Sequence, residues 1–238
     1  AFRGGTWSAH GSGSVPLPDT RISDLLQASD GALWLACRGR NAVRFDPTDR
    51  AWQTYDRLTY QCEGDSGSSW FVTRDSTVVV RNMEVWTEYG VQDGLMDCPR
   101  TVFADRTGAI WAAGSHQGQA ALAVFTGGEW RLQIHPELGG EVGRTGVCVA
   151  RDSTLWVTGT RATPGEALAI GRRRAGIWSV VRGPAWLPQV YGMVETADGR
   201  IWFGGKRLYW LADEEWHQVT KLGDMAESTW FDALLGTR

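Results

Sequence analysis

One short pattern, Gly-x-x-Trp, recurs along the chain and limits what the chain can fold into. Successive copies place their tryptophans 36, 41, 45 and 46 residues apart, and a second Trp follows each one after 14 to 22 residues. Periods of this length are typical of proteins built from repeated units of secondary structure. In the fourth copy, Ser153 replaces the glycine. The five copies end at Trp34, Trp70, Trp111, Trp156 and Trp202.

Each repeat consists of short apolar runs, rich in Val, Ile, Phe and Trp, that are separated by Gly, Asp, Ser or Pro. Such runs are typical of β-strands, and the chain lacks the 3.6-residue apolar periodicity of a helix. Asp30–Gly31 and Asp198–Gly199 predict two-residue hairpin turns, because Gly reaches positive φ without steric cost. Four strands in each repeat of about 40 residues predict one antiparallel propeller blade.

The sequence therefore predicts an all-β fold, a β-propeller of four-stranded antiparallel blades with five full repeats and a partial sixth shared by the two termini. Trp7 matches the second Trp of a preceding copy, and residues Asp232–Arg238 match a first strand. The tryptophans of the motif are expected to pack between successive blades, because one blade alone cannot cover its two apolar faces.

Composition places the whole chain, residues 1–238, in a single domain with enough apolar content (42%) to bury a core. The formal net charge of -3 provides no whole-molecule attraction to nucleic acid or to a membrane. No run of about 18 apolar residues occurs, so we expect no membrane span in this segment. The chain starts at Ala1 without Met or a signal peptide, and we expect it to be a piece of a longer protein.

Two segments, Ile22–Asp46 and Val190–Gly205, resemble the two-component regulator propeller repeat, in which an apolar strand is followed by Asp, Gly-x-Leu-Trp and a strand of small residues. Thr101–Gly114 is similar, whereas the second copy has polar residues where its first strand should be apolar. The resemblance implies the periplasmic or extracellular sensor propeller of a bacterial hybrid histidine kinase. Many members of that family respond to polysaccharide fragments, and the resemblance implies a non-enzymatic ligand-binding module without a cofactor.

Basic or imidazole residues follow the second strand of each predicted blade, at the turn that leads to the third strand. We expect these turns to share one face with the links between blades, where the side chains would bind an anionic oligosaccharide through charge-assisted hydrogen bonds. Solvated turn residues are the alternative interpretation. Trp186, in a Pro-flanked link on the same face, is a candidate for stacking on a sugar ring. The predicted cationic residues are Arg38, Arg40, Arg74, His116, Arg161 and Lys206.

Other chemistry is poorly represented. The chain lacks Gly-x-Ser-x-Gly and a His at zinc-ligand spacing, and we predict no catalytic residue, cofactor or metal site. Cys62 and Cys98 are assigned near-equivalent positions close to the start of a first strand in adjacent blades, which makes them a candidate disulfide. The basic run at Gly171–Gly176 is too short for a nucleic-acid footprint and is interpreted as a solvated turn.

Three classes of function remain open from the sequence. The first is a sensor propeller that binds a small molecule or an oligosaccharide, without nucleic acid as a partner. The second is an extracellular structural or adhesive propeller that binds a protein partner. The third is a propeller lyase or hydrolase that acts at a central funnel. The sequence favours the first class because the family resemblance supports it directly.

Overall fold

The computed structural model describes residues 2–3, 6–7, 22–37, 41–65, 67–159, 167–184, 187 and 189–219. In that part of the chain, 22 strands form five four-stranded antiparallel sheets, here called blades 1 to 5, and one two-stranded sheet. The two-stranded sheet pairs β1 (Phe2–Arg3) with β2 (Thr6–Trp7). The chain divides into two compact units, residues 1–88 and 89–238, which are described separately.

Unit 1 contains blade 1 and nearly all of blade 2, and the strands of each blade pair in chain order. The strands of blade 1 are β3 (Ile22–Gln27), β4 (Leu33–Cys37), β5 (Asn41–Phe45) and β6 (Trp52–Tyr55). The strands of blade 2 are β7 (Leu58–Glu63), β8 (Ser69–Thr73), β9 (Val78–Asn82) and β10 (Val85–Tyr89).

Unit 2 contains blades 3, 4 and 5, whose first strands lie next to one another. The strands of blade 3 are β11 (Cys98–Ala104), β12 (Ile110–His116), β13 (Gln119–Thr126) and β14 (Glu129–Ile134). Those of blade 4 are β15 (Val142–Val149), β16 (Leu155–Gly159), β17 (Ala169–Arg174) and β18 (Ile177–Arg182). Those of blade 5 are β19 (Gly192–Glu195), β20 (Ile201–Gly204), β21 (Leu208–Ala212) and β22 (Glu215–Gln218). One-turn 3-10 helices at Val91–Asp93 and Pro136–Leu138 precede blades 3 and 4.

The Gly-x-x-Trp motif forms the same turn in all five blades. In blade 1, the Ala28 N–H donates to the Ala32 carbonyl at 2.9 Å and the Gly31 N–H donates to the Ala28 carbonyl at 3.0 Å. The loop therefore contains three residues, Ser29 to Gly31. Its last residue, Gly31, has a positive φ of 84°. The predicted two-residue turn is wrong. A three-residue loop ends in a left-handed residue that restores the strand pairing, which is why glycine is favoured there.

The motif tryptophans occupy the second position of the second strand in every blade, as the repeat predicts. In unit 1, Trp34 packs in one cluster with Tyr60 and Phe71 of blade 2. In unit 2, Trp111 packs with Leu155 of blade 4, and the Trp156 cluster likewise includes residues of blade 5. Burial between neighbouring blades is thus confirmed for these three tryptophans, and each buried indole contributes roughly 2–3 kcal/mol.

Only Ala175 and Gly176 of the basic run at Gly171–Gly176 form an exposed turn. Its arginines lie in β17, where the Arg173 guanidinium carbon stands 5.0 Å from the ring centroid of Trp111 in blade 3. Arg172 lies over Trp156 at 5.6 Å and pairs with Glu214 of blade 5. The interpretation as a solvated turn was wrong for these arginines. An arginine in a strand that has a blade on either side can pack its aliphatic stem on an aromatic ring and pair its guanidinium with a carboxylate of a neighbouring blade.

Candidate functional site

The predicted cationic residues that the structure describes lie where the repeat placed them. Arg74 is exposed in the turn between β8 and β9, His116 is the last residue of β12, and Lys206 is exposed in the turn between β20 and β21. The first belongs to unit 1 and the other two belong to unit 2. Four predicted residues lie outside the described part of the chain, namely Arg38, Arg40, Arg161 and Trp186.

Within unit 2, these turns lie beside the links that lead into the same blades. The Asp97 N–H, just before β11, donates to Nδ1 of His116 at 3.3 Å. In blade 5, the Tyr191 N–H donates to the carbonyl of Gly204 at 2.7 Å, next to Lys206. Links and second-to-third strand turns therefore share one end of these blades. Loops gathered at one end of a rigid scaffold are a common place for ligand binding.

His116 connects the turn after β12 to the link that leads into β11. Its side chain is 20% exposed, and its Nδ1 accepts the Asp97 N–H. The Asp97 carboxylate in turn accepts the Gln117 N–H at 3.0 Å. His116 thus fixes the geometry of the turn, and the exposed cations at this type of position are Arg74 and Lys206.

Two further arginines lie near the predicted positions but outside the repeat pattern. The Arg57 carbonyl accepts the Arg74 N–H at 3.0 Å, and the Arg57 guanidinium binds Asp75 at 2.5 Å. In unit 2, Arg100 Nε donates to Glu141 at 2.7 Å, and this hydrogen bond raises the pKa of Arg100. These two arginines could not be predicted from the sequence, because their carboxylate partners come from other turns and links.

A polar cleft of about 300 Å³ lies between the two blades of unit 1. Its lining comes from the first-to-second and third-to-fourth strand turns and from the adjoining strand ends. In an antiparallel blade these turns lie at the end opposite Arg74, so the cleft and the predicted cationic residues occupy opposite ends of unit 1. Its charged lining residues are Asp30, Arg44, Glu63, Arg81 and Glu84.

Ion pairs hold the arginines of this cleft in position. Arg44 donates to Asp30 at 2.5 Å and to Asp46 at 3.1 Å. Burial lowers the pKa of Arg44, but the hydrogen bonds and charges of Asp30 and Asp46 together outweigh burial and the net pKa is raised. Arg81 donates to the Tyr55 hydroxyl at 3.1 Å and to Glu84 at 3.2 Å. Both guanidinium groups therefore have protein partners.

Glu63 and an aromatic stack join the two blades beneath the cleft. Glu63 accepts hydrogen bonds from the backbone N–H and the hydroxyl of Ser29, both at 2.7 Å. Trp34 of blade 1 stacks on Tyr60 of blade 2 with centroids 4.5 Å apart and planes inclined by 1°. Burial raises the pKa of the Tyr60 hydroxyl. These contacts provide a rigid floor for the cleft.

The candidate disulfide between Cys62 and Cys98 is not formed in the structure, in which both residues are thiols. Their positions are also not equivalent. Cys62 lies near the end of β7, paired with Trp70, whereas Cys98 is the first residue of β11, paired with Ser115. The register from which the pair was inferred was therefore wrong.

The described residues contain no group of three or more His, Cys, Asp or Glu side chains placed to hold a metal ion. Over the same residues, no helix has the length and apolar character that crossing a membrane requires. The charged clusters that are present are ion pairs, at the ends of the blades and between them.

Five four-stranded antiparallel sheets, each with its motif tryptophan in the second strand, define the fold as an all-β propeller. Residues 16–39 match the family model described as two component regulator propeller, which confirms the resemblance seen in the sequence. No curated protein matches the chain in sequence.

Solved structures support the same fold. The extracellular domain of BT4673 from B. thetaiotaomicron, described as a hybrid two component system, aligns with a TM-score of 0.72 and 17% identity over 97% of this chain and 33% of that chain. Virginiamycin B lyase from Staphylococcus aureus, as an inactive variant with quinupristin, aligns with a TM-score of 0.69 and 17% identity over 88% of this chain and 73% of that chain. YCF48 from Cyanidioschyzon merolae aligns with a TM-score of 0.60 and 12% identity over 91% and 76%. At these identities the likeness establishes the fold and not the activity.

Proposed function

We propose that the chain is a non-catalytic, ligand-binding propeller of a bacterial two-component signalling receptor, in the periplasm or outside the cell. The match of residues 16–39 to the two-component regulator propeller repeat carries this proposal. The likeness to the BT4673 extracellular domain supports it, because the alignment covers 97% of the chain. The chain spans about a third of that extracellular domain, 33%, so signalling itself would require further segments.

The ligand class we propose is an anionic oligosaccharide, bound at the end of unit 2 where links and second-to-third strand turns meet. Lys206 is exposed there, and the sequence assigns Arg161 and Trp186 to the same end. An arginine binds a carboxylate through two parallel hydrogen bonds, and an indole can stack on a sugar ring. Uronate-bearing chains combine both features.

The test compares a trimer of galacturonate with the neutral galactose trimer by isothermal titration calorimetry. Charge reversal at Arg161 and Lys206 together is expected to weaken binding of the acidic trimer by at least about tenfold, because each charge-assisted hydrogen bond is worth roughly 1.5–3 kcal/mol. Arg174→Glu is the matched control, since Arg174 is 73% exposed at the opposite end of blade 4. Equal affinity for both trimers, or equal loss in the control, would contradict the proposed ligand class.

A further inference from the structure

The cleft in unit 1 is distinct from the site of the proposed function. It opens between blades 1 and 2 at the end that carries the Gly-x-x-Trp turns, whereas the predicted cationic residues follow the second strands at the other end. Its volume of about 300 Å³ accommodates a small molecule. Both blades contribute polar groups to it, Asp30 from the turn of blade 1 and Glu84 from the third-to-fourth strand turn of blade 2.

The charges that line the cleft do not balance. Three carboxylates, Asp30, Glu63 and Glu84, face two guanidinium groups, and Asp46 adds a fourth carboxylate behind Arg44. An anionic ligand in this cleft would be repelled, because the carboxylates there outnumber the guanidinium groups. A ligand cation would instead reduce this excess of negative charge.

Exposure strengthens this asymmetry. The side chains of Glu84 and Asp30 are 90% and 54% exposed, whereas those of their guanidinium partners, Arg81 and Arg44, are 23% and 21% exposed. Each arginine also donates from both terminal nitrogens to protein acceptors, as described above. Carboxylate oxygens have more acceptor positions than one arginine contact uses. The surface offered to a ligand is therefore mainly hydrogen-bond acceptor and negative.

We propose that this cleft binds a small organic cation that carries a primary ammonium group. The ammonium donates three hydrogen bonds and is matched by carboxylates contributed from both blades. Contacts between the two blades form the floor of the cleft, where Ser29 donates to Glu63 and Trp34 stacks on Tyr60. Binding here does not depend on the proposed function, which uses residues of unit 2 and a ligand of opposite charge.

The experiment uses three five-carbon compounds that differ only in their end groups. Cadaverine carries ammonium groups, 1,5-pentanediol carries hydroxyls, and glutarate carries carboxylates. Each is titrated into the 238-residue chain while the backbone amide shifts of Ala28, Gly67 and Ser69, which line the cleft, are followed by NMR. Cadaverine is expected to give saturable shifts with a dissociation constant of about 1–10 mM, lost at about 0.5 M salt because the pairs are partly exposed.

A matched pair of variants locates the site. Glu84→Gln removes one lining charge from blade 2 and is expected to weaken cadaverine binding about twofold to fivefold. Glu88→Gln removes the same charge from β10, where Glu88 accepts a hydrogen bond from Thr77 outside the cleft, and should leave binding unchanged. The proposal is overturned if pentanediol or glutarate shifts the same amides as strongly as cadaverine. It is also overturned if cadaverine shifts none of them at about 100 mM, or if the two variants lose equal affinity.

Discussion

At the scale of single residues, the five motif turns share one backbone but not one side chain. Ser153 occupies the left-handed position with φ 66°, where the equivalent residue of blade 5, Gly199, has φ 82°. A residue with a Cβ in this region costs roughly 1–2 kcal/mol relative to glycine in the folded state. Glycine loses more backbone entropy on folding than serine does, and this loss offsets about 0.5–1 kcal/mol of its advantage.

Reciprocal substitutions at these two positions therefore have opposite expected effects. Ser153→Gly should raise the free energy of unfolding by about 0.5–1 kcal/mol, and Gly199→Ser should lower it by a similar amount. A Cβ at Gly199 would have no atom within 4 Å, so a steric clash does not complicate the comparison. Urea unfolding followed by tryptophan fluorescence measures both values. Changes of the same sign would mean that backbone strain does not decide the stability of this turn.

At the scale of elements, β17 shows how strands join neighbouring blades. Arg173 reaches Trp111 in the preceding blade, and Arg172 reaches Glu214 in the following one. Arg174, in the same strand, is 73% exposed and lies 3.6 Å from Asp152 of its own blade. Three adjacent arginines thus have three different environments, which the run of identical letters in the sequence conceals.

Truncating two of these arginines separates a contact between blades from a surface ion pair. Arg173→Met is expected to lower the free energy of unfolding by about 1 kcal/mol, because it removes a half-buried cation–π contact but keeps an apolar stem. Arg174→Met should change it by less than about 0.5 kcal/mol, as exposed ion pairs contribute little. Chemical denaturation of both variants provides the measurement. An equal loss in the two variants would show that the contact with Trp111 contributes nothing specific.

Features that lie within one repeat could be predicted from the sequence, whereas features formed by packing between repeats could not. The motif fixes the second strand of each blade, because Trp34 and its four equivalents must point toward one packed face. The five full blades of the described residues follow from counting copies of the motif. The cleft of unit 1 could not be predicted, since Asp30 and Glu84 belong to different repeats and meet only through packing. The proposed pair Cys62–Cys98 failed because the two cysteines lie at opposite ends of their first strands. Cys62 pairs with the motif Trp70, whereas the residue that pairs with the equivalent Trp111 is Phe103 and not Cys98.

At the scale of the whole molecule, the repeat makes residues equivalent in sequence but not in energy. Trp111 is 2% exposed and packs in one cluster with Leu155 and Val157 of the next blade. Trp202 is half-buried, and its described contacts come from its own blade, with the Trp210 ring 5.2 Å away and the Thr196 hydroxyl 3.0 Å from its indole nitrogen. In an array of stacked repeats, stability is the sum of terms within each repeat and terms at each interface.

Packing between blades should therefore make Trp111 contribute more to the free energy of unfolding than Trp202. Trp111→Ala removes an indole from between two blades and is expected to cost about 3–5 kcal/mol, because the cavity cannot collapse when packed sheets surround it. Trp202→Ala should cost about half as much, since solvent already reaches part of the ring and can enter the space left behind. Urea unfolding at one pH gives both differences, with circular dichroism as the check that each variant retains its strands. Equal costs at the two positions would mean that the contacts within a blade, and not the packing between blades, dominate the stability that this motif provides.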